Sequence, residues 1–405
     1  MNKDRKSGHF KDHRELSREM ELFMSFDVAP GAPMLLENGL ILYRELSALM
    51  REYLSALGGF HEVRAPALLK ASLWERSGHL EKFAEDMYLF REGEEVMGLK
   101  PMNCPAHMLL YSARKRSYRE LPYRVHDEGI LHRREASGSL VGMARLMQFH
   151  QDDSHIFVAP EQLQEELRRC LGMIESVYNC FGFKFRARLS SRPEKYLGEL
   201  SMWDRAEGYL GASMSERGIE YSVDAGGGAF YGPKIGIEIM DSHSRWWQLA
   251  TVQLDFNLPE RFDLSFVDSG GALRRPIVVH LALYGAIERF MAIYLEHVQG
   301  DLPIRLAPQQ VRVYPVADRH QGYADEVGRL LKQYGVRVIV VNERDSLSAR
   351  LRAGRAYRAP YSLVVGDDEV SSRTIAVSRR GEGGNESVSV ERFLSEFERK
   401  GRMAI

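Results

Sequence analysis

The stretch that most limits what this chain can fold into is LHRREASGSLVGMARLMQFHQDDSHIF, residues 131–157. It holds two runs of strand character joined by a glycine- and serine-containing, positively charged loop, which predicts an antiparallel hairpin. Alternation along a strand puts residues two apart on one face. Arg133 and Glu135 are therefore expected to point one way, and Phe149, Gln151, Asp153 and His155 to share a face of the return strand. A cation, a carboxylate and an aromatic plate on one sheet face suit a nucleoside polyphosphate. The arginine would neutralise phosphate, the glutamate accept from an exocyclic amine, and the phenylalanine stack on the base. A plain hairpin with a solvated polar face has the same pattern, so both readings stand at this point. The chain contains no GxxxxGK[ST], so a P-loop is excluded.

A hairpin of this kind needs a sheet around it, and 405 residues suffice for two domains with ordinary cores. A hydrophobic fraction of 44% and a charged fraction of 27% are those of a water-soluble globular protein. The net charge of −1 gives no global field for a polyanion, so any basic patch must be local. Cys104, Cys170 and Cys180 form no disulfide framework, which fits a reducing compartment such as the cytoplasm. No signal peptide and no bilayer-length apolar run is present.

After a short mixed-charge tail and an amphipathic helix, LILYRELSALMREYLSAL predicts a helix stopped by Gly58-Gly59. FHEVRAPALL follows as a strand interrupted by Pro66, which has no amide donor and belongs at an edge or interface. Residues 161–181 predict a second helix, with Cys170 and Cys180 as core packing. KFRARLSS and the segment 221–256 predict further strands around the glycine-rich turn at Gly226–Gly228. PIVVHLALYGAIERFMAIYLEHV reads as a strand passing into a helix. Arg289 lies in its first turns, where free amides and the helix dipole favour an anion. Beyond Pro308 the pattern becomes strand, helix, strand, helix, strand, a small α/β domain with a mostly parallel sheet. Residues 306–405 hold 17 Lys/Arg against 13 Asp/Glu, a mildly basic balance.

Five blocks in this order, KPMNCPAH, LHRREASGSLVGMARLMQFHQDDSHIF, AFYGPKIGIEI, WWQLATVQLDF and PIVVHLALYGAIERF, resemble the threonyl-tRNA synthetases, a family of class II aminoacyl-tRNA synthetases. The likeness covers nearly the whole chain. It includes a Pro-centred first motif at Pro66, an Arg-x-Glu second motif and a Gly-x-x-Glu-Arg third motif. It implies an α+β fold: an antiparallel catalytic sheet of six to seven strands with flanking helices, then a small C-terminal α/β anticodon-binding domain. The expected divisions are a tail and helix over 1–40, a catalytic domain over 41–303 and an anticodon-binding domain over 304–405.

The resemblance also implies residue roles. Arg133 would hold the ATP α-phosphate and the reacting carboxylate, with Lys234 and Gln151 steadying α-phosphate and carbonyl oxygens. Glu135 would read the adenine amine between Phe149 and Arg289, and Arg145 would reach the outer phosphates together with magnesium. Met102, Asp153, Tyr231 and Gln253 would contact threonine, Asp153 through the ammonium. Cys104, His155 and His280 match a zinc-ligand set, although their separations fit no zinc-finger spacing and from the residues alone each reads as packed core. Glu369 would meet the anticodon.

Expected partners are ATP, threonine, tRNA and a second copy of the chain in a homodimer, with no membrane. Relatives in bacteria carry N-terminal domains, one of them an editing domain that hydrolyses seryl-tRNA. This sequence begins at the catalytic core, so serine discrimination would rest on the pocket and on a separate trans-editing protein. Four departures stand out: Ala106 for glycine, Arg134 in HRRE for HRNE, Ala286 for serine, and Ser378 for an arginine facing anticodon bases. With catalytic letters kept and tRNA-reading letters partly lost, a paralogue loading threonine onto a carrier protein is the alternative.

Overall fold

The computed structural model describes residues 10–403 and residue 405; the first nine residues of the expected tail lie outside the described residues. The chain divides into two compact units. One holds residues 25–32, 51–293 and 405, the other 10–24, 33–50 and 294–403.

The first unit is built on an eight-stranded sheet. Its strands are β1 (Phe60–Glu62), β2 (Tyr123–His132), β3 (Gln148–Val158), β4 (Arg186–Ser190), β5 (Tyr221–Asp224), β6 (Lys234–Met240), β7 (Trp246–Asp255) and β8 (Ile277–Ala282). They lie in the order β5-β4-β6-β7-β8-β3-β2-β1. The six central strands pair antiparallel, and only the edge pairs β4–β5 and β1–β2 run parallel. The sheet is thus one to two strands wider than expected, the extra ones being short edges.

The hairpin expected from the sequence is β2–β3, with Leu131 opposite Phe149 and Gly129 opposite Gln151. Arg133 and Glu135 fall just past the end of β2, in the connecting loop rather than on the strand. The segment containing Pro66 is two strands, not one. β1 pairs into the large sheet, whereas Leu68–Lys70 joins Leu89–Glu92 and Glu95–Leu99 in a separate three-stranded sheet, and Pro66 sits in the turn between them.

Helices Leu163–Cys180 and Leu200–Glu216 flank this unit. The first buries Leu167, Cys170, Leu171, Ile174 and Val177 at helical spacing, which makes Cys170 core packing. The second has no clean apolar stripe in the sequence, because Gly208, Gly211 and Ser213 interrupt it.

In the second unit β9 (Val311–Pro315), β10 (Val338–Val340), β11 (Tyr361–Val365), β12 (Thr374–Arg379) and β13 (Glu386–Ser389) form a sheet in the order β10-β9-β11-β12-β13. β9 is parallel to both β10 and β11, but β11–β12 and β12–β13 are antiparallel. The sheet is mixed, not mostly parallel, because the chain turns back after the short helix Asp367–Ser372 instead of crossing over. Helices Gln321–Gln333 and Val390–Gly401 cover it, closing a core of Val311, Val313, Val327, Leu331, Leu363, Val377 and Phe393.

No helix of the described residues is long and apolar enough to cross a membrane.

Candidate functional site

Strand β3 carries the site on one face and its scaffold on the other. Phe149, Gln151 and Asp153 line a cavity of about 290 Å³, and His155 continues the same face into a buried cluster behind it. The intervening His150 and Asp152 face away and fasten the loop that brings Arg289 to the cavity. Asp152 accepts the Leu283 and Tyr284 amides at 2.7 and 2.9 Å, and the Glu288 carboxylate accepts both the His150 amide and its Nδ1, at 2.9 and 2.8 Å.

Gly285 in this loop has φ +73°, and a Cβ there would stand 2.3 Å from the Leu249 carbonyl. Only glycine fits. Asp152→Ala would leave two buried amides without acceptors, and it is expected to lower the unfolding free energy by about 2–4 kcal/mol. Denaturant titration of the variant against the parent checks this.

Around the cavity stand Arg133, Lys234 and Arg289, three cations from three separate elements. Arg133 is held by its Nε on the Pro101 carbonyl at 3.2 Å, with its guanidinium 5.2 Å from the centre of the Phe149 ring. Arg289 donates from Nε to the Ala144 carbonyl at 2.6 Å and from a terminal nitrogen to the Gln248 carbonyl at 3.1 Å. Burial lowers the pKa of all three, and proximity to Arg133 lowers Lys234 and Arg289 further, the latter to about 10. Positive charges gathered at a cost in desolvation and repulsion mark a place for a polyanion.

The carboxylates facing them are Glu135 and Asp153. Glu135 pairs with Arg145 at 3.2 Å, and Arg145 is half exposed. Such a pair is worth about 0–1 kcal/mol, so the two groups can part to engage a ligand at little cost. Burial raises the pKa of Asp153, while His107 and the 3.0 Å hydrogen bond donated by the Asn103 side chain pull the other way.

Met102, Tyr231 and Gln253 line the same cavity. Tyr231 is buried 5.4 Å from the His280 ring, centre to centre, and Gln253 donates to the Gly232 carbonyl at 2.8 Å. Of the residues expected at the site, then, Met102, Cys104, Arg133, Glu135, Phe149, Gln151, Asp153, Tyr231, Lys234, Gln253, His280 and Arg289 line one cavity. Arg145 reaches it through Glu135.

Cys104, His155 and His280 come together from a helix and two neighbouring strands. All three are buried, and one donor atom of each lies within 4.8 Å of the others. His155 Nδ1 is taken by His107 at 2.8 Å, and its Nε2 is buried with no partner among the described residues. His280 Nε2 is taken by Asp255 Oδ2 at 3.0 Å, leaving Nδ1. Burial lowers the pKa of His280, yet Cys104 and Asp255 outweigh it and push it up to about 10. A thiol and two imidazoles around an unspent buried nitrogen fit a zinc ion with a fourth position open.

Glu369 is in the other unit, on helix Asp367–Ser372, where its carboxylate accepts the Gly366 amide at 2.9 Å. Ser378 lies opposite Ser362 on β12 and lines a cavity of about 380 Å³ together with Arg355, Arg358, Arg379 and Arg380. Of the departures, Ala286 packs against Leu131, Leu146 and Phe149, and Ala106 is buried in helix Cys104–Ser112.

Sequence reading missed His107, Asp127, Asn103 and Asp255. The spacing of Cys104 and His107, three apart at the start of a helix, was the available signal for the first.

Residues 84–298 match the family described as tRNA synthetase class II core domain (G, H, P, S and T). Residues 310–400 match the one described as anticodon binding domain. The chain is 42% identical over 388 residues to a threonine–tRNA ligase of Natranaerobius thermophilus, covering 96% of this chain and 61% of that protein. It is 40% identical over 385 residues to the threonine–tRNA ligase of Thermotoga maritima, covering 95% and 60%. The chain thus spans about three fifths of the length of these relatives. Among solved structures, one titled the RNA binding domain of threonyl-tRNA synthetase from Cryptosporidium parvum Iowa II superposes with a TM-score of 0.92 at 36% identity, covering 96% of this chain and 98% of that one.

Proposed function

The chain belongs to the threonyl-tRNA synthetase family of class II aminoacyl-tRNA synthetases, and from that premise we propose that it activates L-threonine with ATP and passes it to the 3′ end of threonine tRNA. The observation that carries the reading is the convergence of Arg133, Lys234 and Arg289 on one cavity that also holds Cys104 and His280.

In the first step an oxygen of the threonine carboxylate attacks the α-phosphorus of ATP, the α–β anhydride bond breaks, and pyrophosphate leaves. No general base is needed, because the carboxylate is already ionised near neutrality. The work of the site is alignment and charge neutralisation. Arg133 would bridge the carboxylate and the α-phosphate, with Lys234 and Gln151 on the remaining oxygens. Phe149 and Arg289 would sandwich the adenine, Glu135 would accept from its amine, and Arg145, freed from Glu135, would meet the outer phosphates of magnesium-bound ATP.

In the second step the 3′ hydroxyl of the terminal adenosine attacks the acyl carbonyl and AMP leaves. Cys104, His155 and His280 would hold zinc, which when bound would supply a Lewis acid for the amine and β-hydroxyl of threonine. Asp153 would accept a hydrogen bond from the same amino group, and Met102, Tyr231 and Gln253 would close the pocket around the side chain.

Over residues 304–405 the proposed role is tRNA binding. The arginine-lined cavity beside Ser378 and the carboxylate of Glu369 are the groups offered to the anticodon. The proposed setting is cytoplasmic. Pyrophosphate exchange with threonine tests activation, and aminoacylation of threonine tRNA tests transfer. Exchange without aminoacylation would move the acceptor to a carrier protein; absence of both would sink the reading.

A homodimer is proposed on the edge strand β1 and the exposed Leu68 and Phe90 of the neighbouring three-stranded sheet, which leave an unpaired edge and apolar surface in a lone copy. Light scattering at micromolar concentration is expected to give twice the mass of the chain. An active monomer would contradict it.

A further inference from the structure

Behind the proposed zinc ligands lies a buried polar chain that none of the assigned roles uses. It runs from His155 through His107 to Asp127 and Lys100, and all four side chains are fully buried. His107 occupies the fourth position of helix Cys104–Ser112, one turn from Cys104, so the same turn that presents the thiol also presents this imidazole.

The hydrogen-bonding pattern couples the tautomers of the two rings. His155 Nδ1 and His107 Nδ1 lie 2.8 Å apart, so one must donate and the other accept. The contact is much closer than the 3.7 Å from His155 Nδ1 to Asp153. If His155 gives its Nε2 lone pair to a metal, its proton sits on Nδ1 and is donated to His107 Nδ1. His107 then carries its own proton on Nε2. That atom is buried, and the acceptor in front of it is Asp127 Oδ2 at 3.5 Å, the outer limit of a hydrogen bond.

Asp127 is in turn anchored. Oδ2 accepts the Ala65 amide at 3.0 Å, and the Lys100 ammonium stands 3.7 Å away while donating to the Ala65 carbonyl at 3.0 Å. Burial pushes the Asp127 carboxyl up, but His107, the Ala65 amide and Lys100 more than offset it, so the group stands as an anion. The chain therefore begins at a fixed negative charge and ends at the nitrogen that faces Cys104 and His280.

We propose that His107 and Asp127 are positioning residues for the metal site: they orient the His155 ring and fix its tautomer so that Nε2 is presented as a ligand. This rests on the zinc reading above. A carboxylate one hydrogen bond behind a ligating imidazole is the usual device for raising its basicity; here a second imidazole is inserted between the two. The arrangement differs from that at His280, whose Nε2 meets the Asp255 carboxylate directly.

The test is zinc affinity, read by competition of the folded full chain with a fluorescent zinc indicator. His107→Leu can neither accept from His155 nor donate to Asp127, and its affinity is expected to fall about 10–100-fold. His107→Gln can do both and should stay within about threefold of the parent. Asp127→Asn, nearly isosteric, should lose about tenfold.

Cobalt uptake adds a spectroscopic readout: the visible bands of the loaded His107→Leu protein should shift, and those of His107→Gln should not. A folded His107→Leu chain that binds zinc within twofold of the parent overturns the proposal. So does equal loss in the Gln and Leu variants, which would make the effect one of packing. If His107→Leu fails to fold, Asp127→Asn decides on the same terms. A folded parent chain that takes up no zinc overturns the zinc reading itself, and the relay with it.

Discussion

Arg133→Ala is expected to reduce pyrophosphate exchange by about 10³-fold with the fold intact. A preorganised donor aimed at charge that develops in the transition state is worth about 10²–10³ in rate when removed. In the proposed reaction Arg133 would sit where two anions must be brought together, and so would contribute to alignment as well as to neutralisation. Its guanidinium is already desolvated and held by the Pro101 carbonyl. Little reorganisation is left to do when the phosphate arrives. Arg133→Lys should recover only part of the loss, since an ammonium cannot span two oxygens in one plane. The measurement is exchange rate against ATP concentration, with thermal unfolding as the control. A variant within tenfold of the parent would remove Arg133 from the reacting centre.

The hairpin that carries this arginine was legible because alternation is a short-range rule. Phe149, Gln151 and Asp153 could be placed on one face from spacing alone, and they line the cavity. Arg133 and Glu135 reach it for another reason. They lie past the strand, and their direction comes from the loop: the Arg133 amide on the Met147 carbonyl and the pair of Glu135 with Arg145. Alternation had nothing to say there.

Pro66 marked a break correctly, but whether the chain resumes in the same sheet depends on a partner strand 29 residues on, and no local signal holds that information. The proposed metal-ligand cluster was invisible to spacing for the same reason. Cys104, His155 and His280 are adjacent because β3 and β8 pair with His155 opposite His280, and only the family resemblance supplied that register in advance. His107 and Asp127 carried no such label. Both are buried polar groups whose partners come from other elements, and such groups become readable only once the sheet is assembled.

Cys104→Ser is expected to lose zinc and, with it, the preference for threonine over valine. The two amino acids have nearly the same shape, so an apolar pocket alone separates them by only about 10–200-fold. A site that engages the hydroxyl directly can reject the analogue lacking it by about 10⁴–10⁵. The proposed zinc supplies that engagement, and the buried His155 and His280 hold their free nitrogens toward the thiol. Serine is close in volume to cysteine, but its hydroxyl is a poor zinc ligand at neutral pH. The variant should therefore keep the fold and release the metal.

Metal content should fall from about one per chain to near zero, and the threonine-to-valine ratio in pyrophosphate exchange should drop to about 200 or below. Serine provides the internal control. It keeps the hydroxyl and lacks only a methyl, a difference of about 1–3 kcal/mol that rests on packing. Activation of threonine and serine should thus fall together, leaving their ratio nearly unchanged while the ratio to valine collapses. If metal is lost and the valine ratio holds, selectivity belongs to the side chains around Tyr231 and Gln253. If both ratios fall alike, the substitution has damaged the pocket as a whole, and the cysteine has no special part in choosing the substrate.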